Sequence, residues 1–366
     1  MSDVRKQPTL HDVARLAGFS TSTTARALGN YGRIAETTRE KVRAAADELG
    51  YRANPLARSM ITGKTKTIGV VCADLSSPFF AEALRGISDV AKGRGYDILI
   101  VNTDEDVASE RDAVALLRDR HVDGVIVSPA DVRQVGHLAA LQTPERALVL
   151  LDRSSAALDA DSVTVDDVSA MTDAVGRLLD AGHRHIGIVT ELRIEREADW
   201  QSLLGDLDHS ERRELNPSSR RLLGYLRAHR EHDIPIDPAL VARTGATSVD
   251  SARSATTRLL DQRAQTGMTA VVTVDNTTSV GAYGAIRDHG LRVPDDLSFI
   301  AFDNLDWTTL VQPAVSVIEQ PVYALGSRAA EVLLDRLDGT RDTPGEEILL
   351  DTRFIERESI RAVQQV

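Results

Sequence analysis

Thr9-Leu10-His11-Asp12-Val13-Ala14-Arg15-Leu16-Ala17-Gly18-Phe19-Ser20-Thr21-Ser22-Thr23-Thr24-Ala25-Arg26-Ala27-Leu28 is the stretch from which the rest of the chain can be ordered. Leu10, Val13, Ala14 and Ala17 recur at helical spacing. Gly18 stops that helix, because glycine adopts the left-handed conformation of a C-terminal cap without a Cβ penalty. Ser20 is placed to cap a second helix over Thr21–Leu28. A third helix is expected from about Glu36 to Leu49, with Val42, Ala45, Ala46 and Leu49 on one face and Gly50 at its end. Two short helices joined by a tight glycine-containing turn make a helix-turn-helix, whose second helix is projected at the angle that enters a DNA major groove. Small three-helix packings also occur without DNA, so the pattern alone leaves both readings open.

The charge distribution favours the first reading. The 366-residue chain carries a formal net charge of −12. Residues 1–66, however, hold 12 Lys/Arg against 6 Asp/Glu, a net of +6, while the other 300 hold 31 against 49, a net of −18. A small basic head on a large acidic body is expected where one segment meets phosphate. Residues 52–66 read as a linker, with a short helix from Asn54-Pro55 to Ile61 and a flexible Thr62–Lys66.

From Thr67 onward the pattern alternates. Apolar, β-branched runs such as Thr67–Leu75, Tyr96–Thr103, Asp123–Pro129 and Ala147–Asp152 are separated by amphipathic helices at Phe79–Gly95 and Ala108–His121. A second series follows, with strands at His185–Thr190, Val241–Gly245, Ala270–Asp275, Ser298–Phe302 and Val315–Ile318. Its helices are Val168–Ala181, Ser219–Arg230, Val249–Leu260, Thr277–His289 and Val322–Leu337. Strands this apolar, alternating with helices, belong to parallel sheets covered on both faces. The expected fold class is therefore α/β: an all-α helix-turn-helix head plus two doubly wound α/β lobes. Ligands of such sheets bind outside the carboxyl ends of the strands. Glu191 to Leu215, dense in Glu, Arg and Asp around Trp200, fits neither series and reads as an inserted helix or a surface loop.

Other function classes find little support. No apolar run reaches membrane-span length, and Met1–Thr9 lacks a signal-peptide core, so a cytoplasmic location is expected. The single cysteine, Cys72, excludes an internal disulfide and reads as buried packing. There is no GxxxxGK[ST] loop, no HExxH and no histidine cluster at ligand spacing. No catalytic residue, metal site or cofactor is expected. A solute-binding protein is the first rival, because the lobed body alone would suit one, but residues 1–66 and the missing signal segment argue against it. An enzyme on an α/β scaffold is the second.

Thr9–Ser20 closely resembles the opening of the LacI/GalR family of bacterial regulators. The resemblance continues through Thr38–Val42, Glu48–Tyr51, Asn54–Met60, Ser77–Phe80, Asp123–Ile126, Leu151–Arg153, Gly182–Ile186, Arg221–Tyr225 and Phe302–Asn304, in family order over nearly the whole chain, failing around 191–215. It implies a homodimeric, DNA-binding transcriptional regulator, a repressor, with a periplasmic-binding-protein-like body that holds a small-molecule effector, a carbohydrate in many relatives. It implies a head over 1–52, a hinge and linker over 53–66, and a ligand-binding and dimerisation region over 67–366. Lobe 1 would take about 67–165 and 305–320, and lobe 2 about 166–304 and 321–366.

By family position, Thr21, Ser22 and Arg26 are base readers, with Arg26 able to donate two hydrogen bonds to guanine. Thr9, Ser20, Thr23, Asn30, Arg33, Tyr51 and Asn54 look like positioning contacts to DNA. Ala57 and Met60 hold the hinge positions that wedge into the minor groove. Thr24, Ala25, Gly29 and Ala35 depart from the usual Val, Ser, Asn and Ser. In the body the resemblance implies Ser77, Phe79, Phe80, Ser128, Asp152, Arg153, Arg221, Asn276 and Gln320 as ligand contacts. The alternative for Phe80 is a core ring, and for Arg153 a pairing with Asp152 alone. Asn276 stands where many relatives carry Asp, and Thr247 where sugar-binding relatives often place an aromatic residue.

Overall fold

The computed structural model describes residues 8–29, 32–52, 63–143, 146–192 and 212–363, which fall into two compact units. The smaller comprises the chain up to Thr67 with His121–Asp123; the larger holds the remainder.

In the smaller unit three helices, α1 (Leu10–Ala17), α2 (Thr21–Gly29) and α3 (Glu36–Leu49), enclose a core of Val13, Ala27, Val42, Ala45 and Ala46. Gly18 and Gly50 take left-handed conformations, with φ of 74° and 64°, and close α1 and α3. Thr9 and Asp12 form a reciprocal capping box at the start of α1. The Ser20 hydroxyl accepts the Thr23 N–H at 3.1 Å. Ala35, the N-cap of α3, has no side-chain cap. In the same unit the Asp123 carboxylate accepts the backbone N–H groups of Thr65 and Lys66 at 2.7 and 3.0 Å.

The larger unit contains two six-stranded sheets. The first contains β1 (Thr67–Cys72), β2 (Asp97–Asn102), β3 (Gly124–Val127), β4 (Ala147–Leu151) and β5 (Asp161–Val165), with β11 (Glu347–Leu350) at its edge in the order 11-5-4-3-1-2. The second contains β6 (Ile186–Thr190), β7 (Val241–Arg243), β8 (Ala270–Thr273), β9 (Ser298–Phe302), β10 (Ser316–Glu319) and an antiparallel edge strand β12 (Arg353–Ile355), in the order 12-10-9-8-6-7. The central pairings of both sheets are parallel. Their central strands are buried on both faces, as the near-continuous hydrophobic runs require, whereas β2 at the edge is only partly buried and leaves Ile100 exposed. Cys72 lies in the buried β1, and burial pushes its thiol up to about 12.

The expected lobe boundaries need correction at the C-terminal side. β10 lies between β9 and β12 in the second sheet, so 305–320 does not belong to lobe 1. Helix α10 (Val322–Leu337) buries Leu325, Ala329, Val332 and Leu333 in the core of the first lobe, with β11 beside β5. The chain thus crosses between the sheets three times, after β5, after β10 and after β11. Local periodicity identifies strands but carries no information on which sheet a distant strand joins. β5, β11 and β12 were not anticipated as strands either. β5 reads Asp-Ser-Val-Thr-Val, and the other two are short edge strands.

Helix pairs are drawn together by glycine. In lobe 1, α4 (Pro78–Gly93) and α10 approach so closely that a Cβ on Gly326 would lie 1.9 Å from the Ala83 carbonyl oxygen, and one on Gly86 2.2 Å from that of Tyr323. In lobe 2, Gly224 plays the same part where α7 (Pro217–Glu231) meets α6 (Asp167–Asp180), 2.4 Å from the Val168 oxygen.

Candidate functional sites

On the head, Thr24 and Ala27 face inward, leaving Thr21, Ser22 and Arg26 exposed on the opposite side of α2. Arg26 reaches back toward Ser22, its Nε 3.4 Å from the Ser22 carbonyl oxygen. Arg33 is exposed. The Thr9 hydroxyl donates to Asp12 at 2.7 Å, and that of Ser20 lies 2.9 Å from the Thr23 hydroxyl, so these groups serve the helix termini. The Tyr51 ring packs against the head core. Asn30, Asn54, Ala57 and Met60, with the expected hinge helix, lie outside the described residues.

In the body, polar side chains collect at the carboxyl ends of the strands. After β4 come Asp152 and Arg153; after β9 comes Asp303. Asp152 and Asp303 occupy equivalent places: both have left-handed backbones (φ 66° and 74°), and both donate their N–H to the next strand, to Val163 and Ile318 at 2.9 Å. Aspartate tolerates that conformation better than most residues, and such positions cluster at functional sites. Burial raises Asp152 to about 6 despite the nearby guanidiniums of Arg153, Arg221 and Arg220. Arg153 donates to the Pro129 carbonyl at 2.8 Å and pairs with Glu105, which follows β2, as well as lying 3.7 Å from Asp152. The reading of Arg153 as a partner of Asp152 alone is therefore too narrow.

The segment leaving β5 carries Asp167, fully buried at the start of α6. Its Oδ1 accepts from Arg221 Nε at 2.7 Å, and Arg220 Nη1 lies 3.8 Å from Oδ2. Arg221 also donates to the Val274 carbonyl, and its guanidinium sits 3.7 Å above the Phe302 ring. Arg220, wholly buried, donates to Ser154 of the first lobe at 2.7 Å. These two arginines therefore join the lobe-2 floor to the segment that crosses between lobes.

β8 leads into Asp275, which caps α9 (Asn276–Asp288). The Asn276 side-chain oxygen accepts the Trp307 indole N–H at 3.0 Å. Because an indole only donates, this fixes the amide and leaves its NH2 as the remaining donor. Gln320, on the crossing after β10, donates from Nε2 to Asp303 at 2.8 Å, while its buried Oε1 has no hydrogen-bond partner among the described residues. Among the described residues the buried Ser128 and Thr190 hydroxyls, at the ends of β3 and β6, also lack partners. Glu191 follows Thr190; burial, and next the neighbouring Asp275 carboxylate, push it up to about 9. Buried polar atoms without partners are exceptional in folded proteins and mark places where a ligand or water completes the bonding.

One expected contact, Phe80, turns into the core. Phe80 is a core residue, its ring edge-on to Phe79 at 5.1 Å and packed in the lobe-1 core, because the first turn of α4 directs it inward. Phe79 is half-buried, Ser77 caps no N–H of α4, and Thr247 lies on an exposed turn. Sequence reasoning missed Glu105, Asp167, Glu191, Asp275 and Asp303. Their one available signal was position: each stands within three residues of the end of a parallel strand.

Comparison with known proteins agrees with both halves. Residues 9–54 match the family described as bacterial regulatory proteins, lacI family, and residues 175–360 match the periplasmic binding protein-like domain. The HTH-type transcriptional repressor CytR of Escherichia coli (strain K12) is 31% identical over 357 residues, covering 97% of each chain. A LacI family transcriptional regulator from Enterococcus faecium, solved with bound ribose, is 27% identical with a TM-score of 0.66 and covers 81% of this chain and 100% of its own. The lac repressor dimer bound to operator and the anti-inducer ONPF shares the fold over 98% of this chain and 100% of its own, with a TM-score of 0.80 at 23% identity. Among the described residues no helix is long and apolar enough to cross a membrane. The chain belongs to the lacI family of bacterial regulatory proteins.

Proposed function

We propose that this chain is a sequence-specific DNA-binding repressor, acting as a homodimer, whose hold on a pseudo-palindromic operator is set by a small carbohydrate or carbohydrate derivative bound between its two lobes. It is a binder rather than an enzyme, needs no cofactor, and works in the cytoplasm where its DNA is. The head of residues 1–52 reads DNA, residues 53–66 form the hinge, and the body senses the effector. The observation that carries this reading is the exposed row Thr21, Ser22 and Arg26 on the second helix of a helix-turn-helix, attached to a body whose strand ends gather unpartnered polar groups. The repressor name of the E. coli relative and the ribose held by the E. faecium structure support the two halves separately.

The test is selection of bound duplexes from a random pool, followed by titration of the selected site with wild type and Arg26→Ala. A bidentate arginine–guanine contact discriminates by about 1–3 kcal/mol, so the variant should relax one base pair in each half-site. Unchanged selectivity in Arg26→Ala would remove Arg26 from the reading face, and failure to select any site would overturn the regulator reading. For the effector, Asn276→Ala should blunt ligand-dependent release or capture of that duplex. Arg221→Ala is a poorer probe, because it strands the buried Asp167 carboxylate.

A further inference from the structure

The effector site has more acid than its own bases answer. Six carboxylates, those of Glu105, Asp152, Asp167, Glu191, Asp275 and Asp303, act on one another across the strand ends, against the three guanidiniums of Arg153, Arg220 and Arg221, counted among the described residues. The shortfall is not evenly spread. Asp167 has Arg221 and Arg220, and Glu105 and Asp152 have Arg153. Glu191, Asp275 and Asp303 have no ion pair among the described residues; protonated Glu191 hydrogen-bonds Asp275, and their other bonds come from the Ser218 hydroxyl, the α9 cap, the Asn276 N–H and the Gln320 amide.

We propose that the effector carries a protonated amine, as an amino sugar does, seated against Glu191 and Asp275 with the Gln320 side-chain oxygen as a further acceptor. This rests on the reading of the cleft as the effector site. Three observations support it. An ammonium group has three N–H donors and no acceptor. The acceptors here are the Glu191 and Asp275 carboxylates and the Gln320 Oε1, which is buried and unpartnered among the described residues while its amide nitrogen is held at Asp303; the Asn276 NH2 and the Thr190 hydroxyl are the nearby donors. A neutral polyol would leave Glu191 and Asp275 sharing one proton, whereas an ammonium group can take that proton's place between the two carboxylates. Nor is a metal ion the natural occupant, since no three His, Cys, Asp or Glu groups among the described residues converge to hold one.

The proton balance follows from the same geometry. Glu191 faces Asp275 from β8, Glu105 from the end of β2 and Arg153 from the end of β4, with the Ser218 hydroxyl of α7 beside it. With the two carboxylates crowded and no cation between them, Glu191 keeps its proton at neutral pH. An entering ammonium supplies the missing charge, so Glu191 ionises and the proton leaves to buffer.

The experiment uses the full chain at neutral pH. D-glucosamine, D-galactosamine and D-mannosamine are compared with glucose, galactose and mannose and with the three N-acetyl derivatives, by thermal melting and by calorimetry in two buffers of different ionisation enthalpy. At least one amino sugar should bind about tenfold tighter than its hydroxyl counterpart, the span expected for a hydrogen bond to a charged group. N-acetylation should abolish that preference, and binding should release about one proton. Glu191→Gln, an isosteric change, should lose both the preference and the proton release. A neutral sugar that binds as tightly as its amine overturns the charged effector while leaving the cleft reading intact. Amine binding indifferent to Glu191→Gln overturns the assigned seat. No binding in either arm overturns the proposal and counts against the cleft reading as well.

Discussion

Replacing Asp167 by Asn removes one charge from a buried cluster and changes almost nothing in shape. In the folded protein Asp167 is fully buried, with Arg221 at 2.7 Å and Arg220 at 3.8 Å, and both arginines are themselves buried. Pairs of this kind add little net stability when formed, because desolvation offsets their attraction. Removing one member is another matter, since it leaves a charge in low dielectric without its counterion, at a cost of about 3–5 kcal/mol. The Asn side-chain oxygen can still accept from Arg221 Nε, which places the expected loss for Asp167→Asn near the lower figure, about 3 kcal/mol. For a body of this size that corresponds to a melting shift of roughly 5 °C. Urea unfolding of the full chain, followed by intrinsic fluorescence, reads the midpoint. A matching double variant, Asp167→Asn with Arg221→Met, removes both charges and should recover most of the loss. A single variant within 1 kcal/mol of wild type, or a double variant no better than the single, would refute the view that these charges depend on each other.

Three further outcomes follow from local geometry. Thr24 is wholly buried in the head with its hydroxyl unpartnered, so Thr24→Val should stabilise the head by about 1 kcal/mol, measured as a shift of its chemical denaturation midpoint; destabilisation would mean the hydroxyl finds a partner. Gly326→Ala places a Cβ 1.9 Å from the Ala83 carbonyl oxygen and should force α4 and α10 apart at a cost of about 1–3 kcal/mol, whereas the same change at Gly93, where a Cβ meets nothing within 4 Å, should not disturb packing. Glu191 is held above its ordinary 4.5, at about 9, so its contribution to stability is fully present below pH 4.5 and is lost as pH rises through about 9. Glu191→Gln should therefore gain on wild type progressively between those values, and parallel pH profiles for the two proteins would rule this out.

The fold was legible where burial makes a strand uniformly apolar. Ile68–Cys72, Gly124–Val127 and Ala147–Leu151 announce themselves because each is buried on both faces. β5 escaped because Asp161, Ser162 and Thr164 are polar, and the Asp161 and Thr164 side chains are satisfied by distant parts of the chain. The Asp161 carboxylate, for example, takes Arg336 from the last turn of α10 and Arg341 from beyond it. No pattern local to β5 reveals partners some 175 positions away. The exchange of C-terminal elements between lobes was hidden for the same reason. Motif resemblance pointed to Asp152, Arg153 and Arg221 but not to Glu105 and Asp167, to which the fold bonds them, since an acidic residue in an acidic chain carries no signal until the sheet places it. Phe80 shows the opposite failure: an aromatic pair at a strand end suggested two ligand faces, and the helical turn sends one ring inward.

The crossings between lobes also explain how a ligand could act beyond its own contacts. Two of the three connecting segments carry site residues: Asp167 follows β5, and Gln320 follows β10. Asp167 anchors Arg221 and Arg220, and Arg220 reaches back to Ser154 on the opposite lobe. Gln320 anchors Asp303, which also holds the N-terminus of α9 through the Asn276 N–H. The residues about which the lobes can turn are therefore bonded directly to those that would meet the effector. A ligand that prefers one arrangement of these pairs over another shifts the balance between lobe positions by its differential affinity, and by no more than that. Linkage makes the effect reciprocal: whatever factor the effector applies to operator affinity, operator must apply to effector affinity. Measuring the effector's affinity with and without saturating operator is thus a direct reading of the coupling. Substitutions at Gln320 should reduce it more than substitutions of equal size at Phe79, which contacts neither crossing segment through a hydrogen bond in this structure.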